Sequence, residues 1–131
     1  MIALYLLISI LLAWGTFHFI KNPKVNPTRA SSLLSLIAIA VIFAFNEIWS
    51  LDVAKLSTLS FGASFVGMCS HKRVGDFEVV LGGLVFAFLF IYFIPNLTTF
   101  EIGGALGFSA FIAIMISRIL FWLARGLRPR V

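Results

Sequence analysis

The sequence predicts an all-α, polytopic integral membrane protein: five transmembrane helices in a small bundle, N-terminus outside and C-terminus inside, with the third helix central. Three observations predict it. Hydrophobic residues make up 61% of the 131 residues and charged residues 11%, and the mean hydropathy is +1.09, far outside soluble-protein composition. Apolar runs near the roughly 20 residues needed to cross the hydrocarbon core follow one another along the chain. Residues 1–131 therefore read as a single transmembrane domain with no room for a soluble one. Finally, the ten Lys and Arg, against five acids, fall in short clusters between those runs. Such clusters are topology signals rather than a nucleic-acid surface.

The first run, MIALYLLISILLAWGTFHFI, lacks a basic leader and a small-x-small cleavage site, so it is read as a retained span over residues 2–20. The second span is placed at 32–50, the fourth at 79–95 and the fifth at 102–124. Residues 53–70 are the weakest candidate, with several serines and glycines, but 18 residues of helix extend about 27 Å, enough for a crossing. Charge decides the matter, because short cytoplasmic loops retain Lys and Arg. If 53–70 spans, Lys21, Lys24, Arg29, Lys72, Arg73, Arg125, Arg128 and Arg130 share one face and Arg118 reaches it, leaving Lys55 opposite. If it does not span, the tail RGLRPR faces away from the KNPKVNPTR loop. Trp and Tyr then also fall near the interfaces under the five-span reading. At the helix ends, Asp52 is placed to cap the third span, Asp76 and Glu78 to put negative charge at the start of the fourth, Pro95-Asn96 to stop it, and Thr98 to Glu101 to form a capping box.

Ser57, Ser60, Ser64, Gly67 and His71 recur at spacings that put them along one helical face. Small residues allow close backbone approach between membrane helices, where no hydrophobic reward for association exists. Gly62, Gly67, Gly82, Gly83, Gly103 and Gly107 are the candidate packing positions. By depth, the third helix is expected to meet the fourth at Gly67 and Gly82-Gly83, near the cytoplasm. It is expected to meet the fifth at Gly103-x-x-x-Gly107, near the outside. The rival use of the face is a solute path lined by Ser57, Ser60 and Ser64, weakened because serine can bond to its own helix carbonyl.

Other chemistry is sparse. No acid lies deep in a span, which argues against a proton relay. Asn46 and Glu47 end the second span, where Glu47 faces headgroups or Lys55. Arg118 can snorkel or pair with Asp76 or Glu78, and with Arg125 and Arg128 it is a candidate anion or lipid contact. His18, Cys69 and His71 lie near one boundary without a metal-ligand spacing. No catalytic motif is present, and Asn96-Leu97-Thr98 matches a glycosylation acceptor. The expectation is a non-enzymatic component of a bacterial-type cytoplasmic membrane, without cofactor, metal or nucleic acid. Its partners are the lipid bilayer and a second copy or a larger membrane protein. The alternative function is an oligomeric channel or facilitator for a small solute.

Overall fold

The computed structural model describes residues 1–69, 71–93 and 102–126. Its elements are five helices: α1 (Ile2–Ile20), α2 (Pro27–Trp49), α3 (Val53–Val66), α4 (Asp76–Tyr92) and α5 (Ile102–Gly126). The stretches Ile2–Ile20, Pro27–Trp49 and Gly103–Gly126 are long and apolar enough to cross a membrane. Pro95, Asn96, Thr98, Glu101, Arg128 and Arg130 lie outside the described residues.

Local chemistry sets the helix ends, and it moves several of them. α2 begins at Pro27 rather than residue 32, because Asn26 Oδ1 accepts from the Thr28 amide at 3.0 Å and proline fits the first turn. The polar opening turn hid this start from a hydropathy reading. α2 stops at Ser50, which takes a left-handed conformation (φ 47°) and donates its N–H to Asn46 O. Asp52 caps α3 by accepting from the Lys55 amide at 3.2 Å. α3 ends at Val66, not residue 70, where Met68 N–H turns back to Phe65 O at 3.2 Å. α4 starts at Asp76 instead of residue 79, with Asp76 and Glu78 in its first turn, where the exposed amides favour negative charge.

Successive helices alternate in direction. Gly15 of α1 faces Leu34 of α2, while Ile8 and Leu12 lie against Ala38 and Ile42, so the two run antiparallel. Lys21 pairs with Asp76 and Ser9 bonds Gly83, which makes α1 and α4 antiparallel. Phe77 meets Phe121 and Gly82 meets Ile114, which does the same for α4 and α5. The loops after α1 and α3 and the C-terminal end of α5 therefore gather at one end of the bundle. Lys55 and Asp52 pair at 3.3 Å near the other end.

α3 packs against each of the other four helices. Most of its surface is buried, through Leu56, Leu59, Ser60, Gly62, Ala63, Ser64 and Val66, while a narrow face with Ala54 and Phe61 stays exposed. At 14 residues it extends only about 21 Å. α2 and α5, by contrast, leave broad apolar faces uncovered, among them Leu36, Phe43 and Ile48 on α2 and Phe108, Phe111 and Ile119 on α5. Such faces suit lipid and not water.

Candidate functional site

The packing glycines divide into two groups. Gly67 lies against α1, where an added Cβ would meet the Ala13 carbonyl oxygen and stand 2.6 Å from Thr16 Cβ. Gly83 also faces α1, its Cβ position being 3.1 Å from Ala13 Cβ and 3.2 Å from Ser9 O. Gly82 meets Ile114 Cδ1 at 2.8 Å and Val66 Cγ1 at 3.2 Å, and Gly62 meets Phe86 and Leu106. Gly103 and Gly107 have nothing among the described residues within 4 Å of a Cβ. Part of the expectation by depth holds, since Gly82 of α4 meets Val66 of α3, but Gly67 and Gly83 both turn to α1 instead of to each other. Ala13 of α1 is held between Gly67 and Gly83, and α3 does not meet α5 through the Gly103-Gly107 face.

Two signals in the sequence mark the true contacts. On α1, Ser9, Ala13 and Thr16 are small residues at four- and three-residue spacing, and all are buried. On α5, Ala105, Ser109, Ala113 and Ser117 repeat every fourth residue and are buried too. At the level of the glycines this stripe is on the far side of the helix, Ala105 lying about 160° around from both Gly103 and Gly107. The glycine face runs on into the exposed Phe111 and Met115, whereas the Ala/Ser stripe stays small for three turns. Continuous close approach selects the longer stripe.

The serines of α3 are occupied by the fold. Ser60 Oγ donates to Leu56 O at 2.7 Å. Ser64 Oγ donates to Phe61 O at 2.7 Å, which uses its proton and leaves its lone pairs to accept from Ser31 at 2.8 Å and Ser35 at 3.0 Å. A closed hydroxyl cluster thus joins α2 to α3, through two α2 serines that the one-helix reading overlooked. Ser9 Oγ likewise donates to Gly83 O at 2.6 Å, joining α1 to α4. Ser57 is half-buried, and its Oγ, like that of the buried Thr16, has no hydrogen-bond partner among the described residues. Of the three serines proposed to line a path, only Ser57 keeps a free hydroxyl.

The basic end of the bundle holds the most chemically suggestive feature. A groove of about 580 Å³ is lined by Arg73, Arg118 and Arg125 together with Glu78. Its floor and walls are apolar, including Met115, Ile119, Phe121, Trp122 and Leu123. Arg118 and Arg125 project from α5, seven residues apart on nearly the same face. Arg125 lies over the Phe121 ring at 5.1 Å. Asp76 is engaged by Lys21 at 2.7 Å. Glu78, half-buried, has a carboxylate oxygen, Oε2, that is sequestered without a hydrogen-bond partner among the described residues. Arg118 and Arg125 thus share this groove, while the third residue of that set, Arg128, is outside the described residues. Of the two acids expected as partners of Arg118, Glu78 lines the groove with it, without an ion pair among the described residues; Arg73, which spacing could not place there, is brought in by the α3–α4 connection.

The remaining candidates are dispersed. His18 stacks on Trp14 with ring centroids 5.3 Å apart, Cys69 Sγ donates to Val66 O at 3.1 Å, and His71 is exposed. Among the described residues, no three His, Cys, Asp or Glu side chains converge as a metal site would require. Glu47 is exposed near the end of α2, and Lys55 pairs with Asp52 rather than with it. In comparisons with protein-family models, curated proteins and solved structures, the chain matches none of them.

Proposed function

We propose that this protein is a non-enzymatic, multi-pass component of a bacterial-type cytoplasmic membrane, an accessory or structural subunit that assembles with itself or with a larger membrane protein. All five helices cross the bilayer in this reading, with the N-terminus outside and the C-terminal end of α5 in the cytosol. The alternation of helix direction supports it, because it gathers Lys21, Arg73, Arg118 and Arg125 at one end, where short basic segments are retained on the cytoplasmic side. α3 is short for a roughly 30 Å hydrocarbon core, but all four other helices pack on it and bury Ser60 and Ser64, so these polar groups need not meet lipid.

The observation that carries the accessory role is the fate of the interior hydroxyls. Those of Ser9, Ser31, Ser35, Ser60 and Ser64 each close on a carbonyl or on one another, which leaves little to replace water around a moving solute. A facilitator reading has in its favour the buried, unpartnered hydroxyls of Ser57 and Thr16 among the described residues. Gly103 and Gly107, open to the outside of the chain, are available to a second protein through the close approach that glycine permits. Replacing both with leucine tests this directly, since a Cβ added at either position meets nothing within 4 Å among the described residues. Helicity and thermal stability should be retained while a cross-linked or co-purifying complex is lost. Retained assembly in both detergent and lipid would refute the role given to this face.

A further inference from the structure

The basic groove has a composition that a purely anionic ligand does not explain. Three guanidiniums line it, and Arg118 and Arg125 enter no ion pair among the described residues. Guanidiniums recognise phosphate through paired, charge-assisted hydrogen bonds. Alongside them Glu78 lines the same groove and enters no ion pair among the described residues, and a carboxylate held among apolar side chains is costly unless a cation or a donor answers it. A simple anion would set its charge against this carboxylate. A ligand carrying both a phosphate and a hydrogen-bonding cation answers both groups.

We propose that the groove binds an aminophospholipid of the surrounding membrane. Its phosphate faces Arg73, Arg118 and Arg125, its primary ammonium pairs with the Glu78 carboxylate where that side chain lines the groove, and its acyl chains run along Ile119 and Trp122. The apolar lining and the uncovered face of α5 suit the chains, and the volume of about 580 Å³ lies within the roughly 300–1,000 Å³ of ordinary ligand sites. A primary ammonium offers N–H donors; the trimethylammonium of choline lipids offers none, and glycerol lipids offer no cation. The headgroup order follows: ethanolamine above choline and glycerol. The inference rests on the five-crossing arrangement, which sets the groove at headgroup level.

Trp122 lines the groove and serves as the reporter. In a full-length variant carrying Trp14→Phe and Trp49→Phe, Trp122 is the remaining tryptophan. Reconstitution into vesicles doped with brominated phosphatidylethanolamine, phosphatidylcholine or phosphatidylglycerol should give stronger quenching by the ethanolamine lipid, with a preference of roughly fivefold over the others. Glu78→Gln should abolish that preference without loss of helicity, and Arg118→Gln should weaken quenching by all phosphate-bearing headgroups. Equal quenching by the three lipids would overturn the proposal while leaving the membrane placement of α5 standing. Absence of quenching by any lipid would overturn that placement as well.

Discussion

Ser64 shows how one side chain can organise two helices. Its single proton goes to Phe61 O, so the Ser31 and Ser35 hydroxyls reach it as donors. All three serines are almost wholly buried, and removing the shared acceptor strands two hydroxyls at once. Ser64→Ala should therefore lower stability by about 1 kcal/mol, between the cost of an unsatisfied buried hydroxyl and the modest value of hydrogen bonds within membranes. The triple variant Ser31→Ala, Ser35→Ala, Ser64→Ala leaves no orphan and should recover part of that loss, seen as a higher melting temperature in detergent than the single variant. Melting temperatures that fall further with each replacement would show that the hydroxyls contribute independently. The serine spacing on α3 was legible in the sequence. Its answer on α2 was not, because Ser31 and Ser35 acquire meaning only when the two helices face each other.

Among the elements, α1 has the role that hydropathy conceals. It is strongly apolar throughout, so nothing in its average composition singles out a packing face, yet its Ser9, Ala13 and Thr16 side receives the backbones of both α3 and α4. At Gly67 the obstruction is backbone, the Ala13 carbonyl, which cannot swing aside as a side chain would. Gly67→Ala should cost about 1–3 kcal/mol through overpacking and loosen α1 from α3. The companion variant Gly104→Ala, with nothing within 4 Å, should be neutral or stabilising by up to about 1 kcal/mol from helix propensity. Thermal unfolding of the two proteins side by side checks both. Equal behaviour would mean that the α1–α3 approach is not close.

Across the whole molecule, the alternation of five helices makes a definite claim about sides. Cysteines introduced at Asn22, Gly75 and Gly126 in a Cys69→Ser background should react with an impermeant maleimide from the same side of sealed vesicles. One at Asp52 should react from the other. Labelling of positions 75 and 126 from opposite sides would remove the five-crossing arrangement, and with it the level assigned to the groove. The Lys21–Asp76 pair is exposed on both partners and contributes little to stability. Its use here is geometric, since it ties the first loop to the start of α4.

What the sequence by itself determined is the set of quantities that add up along a chain: the helical class, the membrane-like composition, the number of helices, the cap at Asp52, the acidic first turn of α4 at Asp76 and Glu78, and the clustering of basic residues between apolar runs. Hydropathy, capping and charge are local, so they survive without knowledge of neighbours. The tertiary structure alone decided which small stripe of α5 is buried, that Ala13 sits between Gly67 and Gly83, that Ser64 is shared with α2, and that Arg73 joins Glu78, Arg118 and Arg125 in one groove. Each of these depends on how two helices are rotated toward one another. Several stripes of similar residues compete for that contact, and no single helix carries the information that chooses between them.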